Sequence, residues 1–362
     1  MKNTVKILSI LLAALLLCSV VPLSASAKAD SGSFSMLNYN VAGLPDFGAM
    51  FNGTEKMDVA TKEKVIGETL NATGIDFIAV QEDFNFNRYL VKAMPNYTYR
   101  TVHHGGVPFG SGLNIYSTHK LYNVEREEWR TRYGLFDEGD ELTPKGILHA
   151  TIEIADGVYA DFYDIHADAY DTEESRKARI DNFNQLAEMI ARRSGDRPVI
   201  ITGDFNISVH HSGWDPSGAH LKELFIDKLG MKDAWIETKN GGSYTDFSRW
   251  TQSGVGYWGN WDSVEKFLYK DGNGIHLDAT DFEYVCYKDS DGNALSDHNA
   301  AKVVFKYTLG ENFRAESASS FQVEKRQPIK RFFEKTQTFF KTLFLCLKNI
   351  ALLKVQKPLM GQ

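Results

Sequence analysis

Two hydrophobic rhythms alternate between residues 33 and 309. Short runs rich in β-branched and aromatic residues recur at 35–41, 76–80, 112–116, 146–154, 159–165, 198–202, 263–268 and 300–306, and such runs read as strands. Between them, apolar positions fall at helical spacing over 59–71 and over Glu173–Arg193, where Ile180, Phe183, Leu186, Ala187 and Ile190 share one face. Strands alternating with helices predict an α/β class. No Pro/Ser-rich linker or internal repeat interrupts the stretch, so 33–309 reads as one domain. Several runs end directly in a polar residue, and strand ends are where α/β folds build their sites.

The two ends of the chain differ from this middle. Lys2 and Lys6 precede an apolar run over 7–21, and Ala25-Ser26-Ala27 supplies small residues before Lys28. That pattern predicts a secretory signal over 1–27, hence a secreted or extracytoplasmic protein. The run is short for a membrane span, which needs roughly 20 residues. Bulky Leu17 stands before Cys18, where lipid attachment would favour a small residue. Beyond the signal only Cys286 and Cys346 remain, too few for a disulfide framework, and a single bridge between them stays open. Residues 311–327 are polar and read as a linker. Over 328–357, Phe332, Phe333, Phe339, Phe340, Leu343 and Phe344 mix with spaced lysines, predicting a basic amphipathic helical tail. Such a tail suits an anionic membrane surface, or equally docking on the domain or on a partner. Lys341, Lys348 and Lys354 make it a poor transmembrane segment.

Charge follows the same division. The whole chain has 40 Lys+Arg and 47 Asp+Glu, but 28–310 carries 28 basic and 43 acidic residues, a net of about −15. An acidic domain followed by a basic tail argues against a large electrostatic footprint for DNA on the domain itself.

Five short motifs each follow or close a strand-like run and end in acid, amide or imidazole groups. They are Leu37-Asn38-Tyr39-Asn40-Val41, Ala79-Val80-Gln81-Glu82, Asp164-Ile165-His166-Ala167-Asp168, Thr202-Gly203-Asp204-Phe205-Asn206 and Leu295-Ser296-Asp297-His298. One strand-end polar residue is usually structural, but five motifs of this kind are hard to explain as packing. Carboxylates with amides suit a hard cation such as Mg²⁺, with Mn²⁺ and Ca²⁺ as alternatives. The absence of a Cys/His cluster at zinc spacing disfavours zinc. A metal held by Glu82 would polarise phosphoryl oxygens. His166 and His298 could donate hydrogen bonds to the same phosphate, and Asp204, steadied by Asn206, could orient or deprotonate a water.

This set resembles the endonuclease/exonuclease/phosphatase superfamily, the group of deoxyribonuclease I, apurinic endonucleases, inositol polyphosphate 5-phosphatases and neutral sphingomyelinases. The resemblance covers about 33–306 and implies a four-layer α/β sandwich, with two packed mixed sheets flanked by helices. It also implies roles. Asn40 and Glu82 match the metal-site amide and carboxylate, and His166 the phosphate-facing histidine. Asp204 and Asn206 match the catalytic pair of the GDxN element, while Asp297 and His298 match the acidic metal or relay partner and the second catalytic histidine. Asp262 resembles an aspartate before a late strand and joins the metal set, although Trp261-Asp262-Ser263 departs from the usual Ile-Asp-Tyr.

Weaker candidates stand beside their plainer alternatives. Lys145 is a substrate contact or a solvated lysine, and Asn114 a substrate contact or a core amide. His103-His104 and His210-His211 are surface pairs or cleft walls, and Asp168 is a turn cap or a site residue. The motifs define the reaction rather than the substrate. His166-Ala167-Asp168-Ala169, residues 175–179 and residues 142–146 resemble the sphingomyelinase-like branch, so a phospholipid phosphodiester leads. DNA, an inositol phosphate, or binding without catalysis are the alternatives. Trp214, Trp250, Tyr257, Trp258 and Trp261 could meet a membrane interface, stack on bases or fill the core.

Overall fold

Strand β1 (Ser31–Asn40) shows how the sandwich is assembled. Phe34 and Met36 enter one apolar core and Leu37 and Tyr39 a second, because successive side chains on a strand point to opposite faces. The strand is therefore covered on both sides. Asn38 and Asn40 continue the row begun by Phe34 and Met36, so polar groups replace apolar ones at the end of the larger core.

The computed structural model describes residues 30–44, 57–107, 110–134, 140, 143–247 and 262–324. The expected signal over 1–27 and tail over 328–357 lie outside the described residues, as do Trp250, Tyr257, Trp258, Trp261 and Cys346. The remaining strands are β2 (Phe77–Gln81), β3 (Tyr99–Arg100), β4 (Asn114–Ser117), β5 (Leu121–Glu128), β6 (Gly146–Ala155), β7 (Val158–His166), β8 (Val199–Asp204), β9 (Lys232–Asp233), β10 (Glu265–Lys270), β11 (Ile275–Val285) and β12 (Ala300–Leu309). They form two six-stranded sheets, in the orders β11-β12-β1-β2-β4-β3 and β5-β6-β7-β8-β10-β9. Both sheets are mixed, with β1–β2 and β7–β8 the parallel pairs.

Helices α1 (Val59–Thr73) and α2 (Asn87–Ala93) lay Ile66, Leu70 and Leu90 on Leu37, Tyr39, Ile78 and Val80 of the first sheet. Helix α3 (Glu173–Arg193) adds Phe183, Leu186, Met189 and Ile190 to the larger core. Each fully buried side chain of this size contributes about 1.5–3 kcal/mol. The ends of α3 are written locally. Thr172 accepts a hydrogen bond from Ser175 N, Glu173 and Glu174 stand in the first turn, and Arg192 and Arg193 in the last, as the cap and the helix dipole favour. The fold is thus the expected α/β sandwich of two packed mixed sheets with helices.

Two long strands, β5 and β11, carry no continuous apolar run. Both are edge strands. In β11, Ile275, Leu277, Phe282 and Tyr284 are buried among exposed polar residues. One face meets solvent, which gives a two-residue alternation rather than a continuous run.

Candidate active site

Strand register carries the five motifs to one end of the sandwich. Asn40 pairs with Gln81 at the ends of β1 and β2, and His166 pairs with Asp204 at the ends of β7 and β8. Gly203 permits the second pairing. Its φ is 141°, and a Cβ there would lie 2.0 Å from Ile165 O, so only glycine fits.

Asp204 is the hub. Its Oδ2 accepts a hydrogen bond from Asn40 Nδ2 at 3.1 Å and stands 3.5 Å from His166 Nε2 and 3.7 Å from His298 Nε2. Its Oδ1 accepts from Asn206 N at 2.9 Å. Asn206 turns back at φ 51° and donates from Nδ2 to Ala167 O, tying the loop after β8 to the loop after β7. Glu82, likewise at positive φ, receives the Asn40 amide on Oε1 at 3.0 Å. Asn40 therefore points its NH₂ at two carboxylates, while its own oxygen accepts from Ala42 N. It orients Glu82 and Asp204, the two carboxylates beside the expected metal site.

The Ser296-Asp297-His298 segment is fastened by Ser296, whose hydroxyl donates to Asn40 O at 2.7 Å and accepts from His298 N at 3.1 Å. His298 Nδ1 lies 2.5 Å from Glu265 Oε1. Glu265 pairs directly with Asp204 across β10 and β8. Its role was missed in the sequence, where Asp262 three residues earlier drew attention; only the strand register reveals it.

Asp262, expected in the metal set, has other partners in the structure. One oxygen pairs with Lys266 Nζ and the other accepts from His210 N. Lys266 also reaches Asp233 at 2.9 Å, and the three side chains form a buried charge cluster. A carboxylate committed to a buried ammonium acts in the structure as part of an ion pair. Asn114 has the contacts of the second of its two readings. Its amide donates to Asp83 Oδ2 and its oxygen accepts from Arg126 and Thr101, so it is a satisfied core amide.

Lys145, in contrast, is buried and ion-paired with Asp140. Burial works against its charge, but Asp140 and Glu82 outweigh this and raise its pKa above the ordinary lysine value. The other oxygen of Asp140 accepts from Ala169 N, linking Lys145 to the loop after His166. Asp168 accepts from Tyr133 N in the same loop. Burial, reinforced by Asp140, pushes the Asp168 carboxyl up to about 7. His103 lies against Asp83 O, and His210 and His211 pack on Trp214.

The electrostatics separate the two histidines. Burial drives the His166 pKa well below its usual value, with Lys145 and His298 adding to the effect, so the ring is neutral. Burial also opposes charge on His298, but Asp204, Glu265 and Asp297 prevail and raise it to about 10. Desolvation raises both Asp204 and Glu82, against the pull of His298 on the first and Lys145 on the second. A neutral imidazole, an imidazolium and two carboxylates of raised basicity thus share one end of the fold.

Among the described residues, no group of three or more His, Cys, Asp or Glu side chains is arranged to hold a metal ion. The donor set still fits a Mg²⁺-like ion that uses few protein ligands and completes its shell with water and phosphate oxygens. Glu82 is the oxygen donor placed for it. Asp297 lies near enough to raise the pKa values of both Glu82 and His298.

Comparison with known proteins shows the family and the fold. A family model described as "Endonuclease/Exonuclease/phosphatase family" matches residues 37–265. A sphingomyelinase of Mycobacterium tuberculosis (strain ATCC 25618 / H37Rv) is 32% identical over 286 residues, covering 76% of this chain and 53% of that protein. The chain therefore spans about half the length of this curated relative. Among solved structures, D. rerio TDP2 complexed with a single-strand DNA product is similar at TM-score 0.55 and 16% identity, over 76% of this chain and 99% of that one. A mutant beta toxin of Staphylococcus aureus with bound magnesium ions is similar at TM-score 0.51 and 14% identity, over 75% and 99%. These two likenesses concern the fold.

Proposed function

The chain belongs to the endonuclease/exonuclease/phosphatase family, and from that premise we propose that it is an exported, Mg²⁺-dependent phosphodiesterase that cleaves a phospholipid headgroup, as a sphingomyelinase does. The observation that carries the reaction class is Asp204 standing between a neutral His166 and a cationic His298. The lipid assignment draws on the sphingomyelinase relative and on the acidic charge of the domain, which disfavours a long nucleic acid track. Export draws on the signal-like pattern over 1–27.

In this reading a water attacks phosphorus and the bond to the leaving alkoxide breaks. Asp204, made more basic by burial, receives the proton of the water. His298, held as an imidazolium by Glu265, faces the charge developing on the phosphoryl group and supplies a proton to the leaving oxygen. Neutral His166 donates a hydrogen bond, and Asn206 fixes Asp204. Lys145 adds positive charge near Glu82, Asp204 and His166. A Mg²⁺ held by Glu82 would contribute Lewis-acid stabilisation of the phosphoryl oxygens.

The test is a Mg²⁺-dependent screen of the purified chain against sphingomyelin, phosphatidylcholine, inositol phosphates and DNA. Release of phosphocholine, absent in His166→Ala, is the expected result. Ready cleavage of DNA with no turnover of any lipid would overturn the lipid assignment and leave a nuclease.

A further inference from the structure

Three polar side chains cross the interface between the two sheets just beneath the site. For most of their length the inward rows of the strands are apolar, with Phe34 and Met36 on β1, Phe77 and Ala79 on β2, and Ala160 and Phe162 on β7 in the larger core. Alternate residues share a face of a strand, so the next inward positions are Asn38, Gln81 and Asp164. Tyr163, whose hydroxyl bonds Ser194 after α3, faces the other way. One further step along the rows stand Asn40 and His166, and Gln81 leads directly into Glu82. The polar layer therefore lies two residues, roughly 6–7 Å, below the site. All three of its side chains are buried.

The hydrogen bonds of this layer run from one sheet to the other. Strands β1 and β2 belong to the first sheet, β7 and β8 to the second. Gln81 Nε2 donates to Asn38 Oδ1 and to Asp164 Oδ1, both at 2.7 Å. Asn38 Nδ2 donates in turn to Gly203 O on β8 at 3.2 Å. Gln81 thus holds β7 directly and β8 through Asn38. The same strands carry the two halves of the site, because Asn40 and Glu82 come from the first sheet and His166 and Asp204 from the second. Whatever fixes the sheets together one step below also fixes how far Glu82 stands from His166 and Asp204.

The layer holds more acceptors than donors. Both amide hydrogens of Gln81 are spent on Asn38 and Asp164. Gln81 Oε1 and Asp164 Oδ2 are buried and have no hydrogen-bond partner among the described residues. Turning the Gln81 amide over is no remedy, since its oxygen would then face Asn38 Oδ1 and Asp164 Oδ1 while the Asn38 amide stays committed to Gly203 O. An ionised Asp164 would be a buried charge held by a neutral amide, which is a costly state. Arg126 of β5 is the charged group that acts on it, and that guanidinium is engaged with Leu113 O, Val102 O and Asn114 Oδ1. Burial outweighs the pull of Gln81 and Arg126 and holds the Asp164 carboxyl well above the ordinary aspartate range. A proton on Asp164 supplies the donor that the layer lacks.

We propose that Asp164 is a neutral acid whose Oδ2–H donates to Gln81 Oε1, closing a cyclic acid–amide pair, and that this pair is the latch that positions the two halves of the site against each other. Two hydrogen bonds in one plane fix orientation as well as distance, and a fully satisfied buried network of this kind rigidifies what it joins. Asp164 and Gln81 touch no reacting group. They are positioning residues that act through Glu82 on one side and His166 on the other. The inference rests on the phosphodiesterase reading only for the activity by which its effect is measured.

The experiment joins kinetics on a soluble chromogenic phosphodiester to a direct view of the carboxyl. Asp164→Asn keeps the pattern, its amide donating to Gln81 Oε1 and its oxygen accepting from Gln81 Nε2, and should hold kcat within about threefold. Asp164→Leu removes both bonds and should lower kcat about 100-fold with KM little changed, as a misplacement of about 1 Å does. If Asp164→Leu fails to fold, Asp164→Ser, too short to reach Gln81, takes its place with the same loss expected. In carbon NMR of the full chain labelled at its aspartate carboxyls, the signal that Asp164→Asn deletes should have the shift of a protonated acid at about pH 7, where ordinary aspartates are ionised. An ionised signal there, or a loss in Asp164→Asn as deep as in Asp164→Leu, overturns the neutral pair. Full activity of a folded Asp164→Leu or Asp164→Ser overturns the latch. The NMR signal needs no turnover, so a chain that hydrolyses no phosphodiester refutes the proposed function while the pair is still read on its own.

Discussion

His298 is held from both sides, with Nδ1 2.5 Å from Glu265 Oε1 and Nε2 3.7 Å from Asp204 Oδ2. The first contact fixes which nitrogen faces the site and sustains the imidazolium there.

Glu265→Gln should therefore lower kcat on the order of 100-fold with KM little changed. The alkaline limb of the pH–rate profile should move down, because His298 loses a carboxylate that keeps it protonated. Steady-state kinetics across pH with a soluble phosphodiester provide the check. A profile identical to that of the unmodified chain would remove Glu265 from the site.

The Asp262–Lys266–Asp233 cluster predicts a stability effect with no catalytic signature. Burial pushes Asp233 up to about 6 despite Lys266 beside it. Lys266→Met would leave two buried carboxylates without their cation, at a cost of about 3–5 kcal/mol. Urea unfolding measures this loss. Asp262→Asn should destabilise less and leave the Mg²⁺ dependence of activity unaltered; a raised Mg²⁺ requirement would return Asp262 to the metal set.

Asp168 predicts how stability varies with pH. Its carboxyl holds a proton up to about pH 7 when folded, but only to about pH 4 when unfolded. The folded state therefore binds the proton more tightly, and the stabilisation is full below pH 4 and declines as the pH rises towards 7. Asp168→Asn should flatten this part of the stability profile, seen as a smaller fall in Tm between pH 4 and 7. Parallel profiles for the two proteins would show that the carboxyl ionises normally.

Metal removal tests Glu82. A chelator should abolish hydrolysis, and Glu82→Gln should weaken Mg²⁺ binding measured by calorimetry by about 10–100-fold. Hydrolysis that persists in excess chelator would exclude the metal-assisted reading.

The α/β class, the long helix Glu173–Arg193 and the strand-end motifs were legible in the chain because each is written locally. Strand and helix periods and a Thr cap with acids behind it all act within a few residues. That local grammar also brought Asn40, Glu82, His166, Asp204, Asn206 and His298 to notice. Their roles within the site depended on partners far away in sequence. Glu265 faces Asp204 only through the antiparallel register of β10 with β8, and Asp262, three residues earlier, is claimed by Lys266 and His210. The surroundings of Asn114 and Lys145 differ for the same reason. One met Asp83, Arg126 and Thr101 in the core, and the other met Asp140 beside the site. An ionisable side chain's charge and purpose are set by what surrounds it in three dimensions. The sequence therefore determined which groups are available at the strand ends, and the tertiary structure decided which of them meet, which are neutral, and which only hold the others in place.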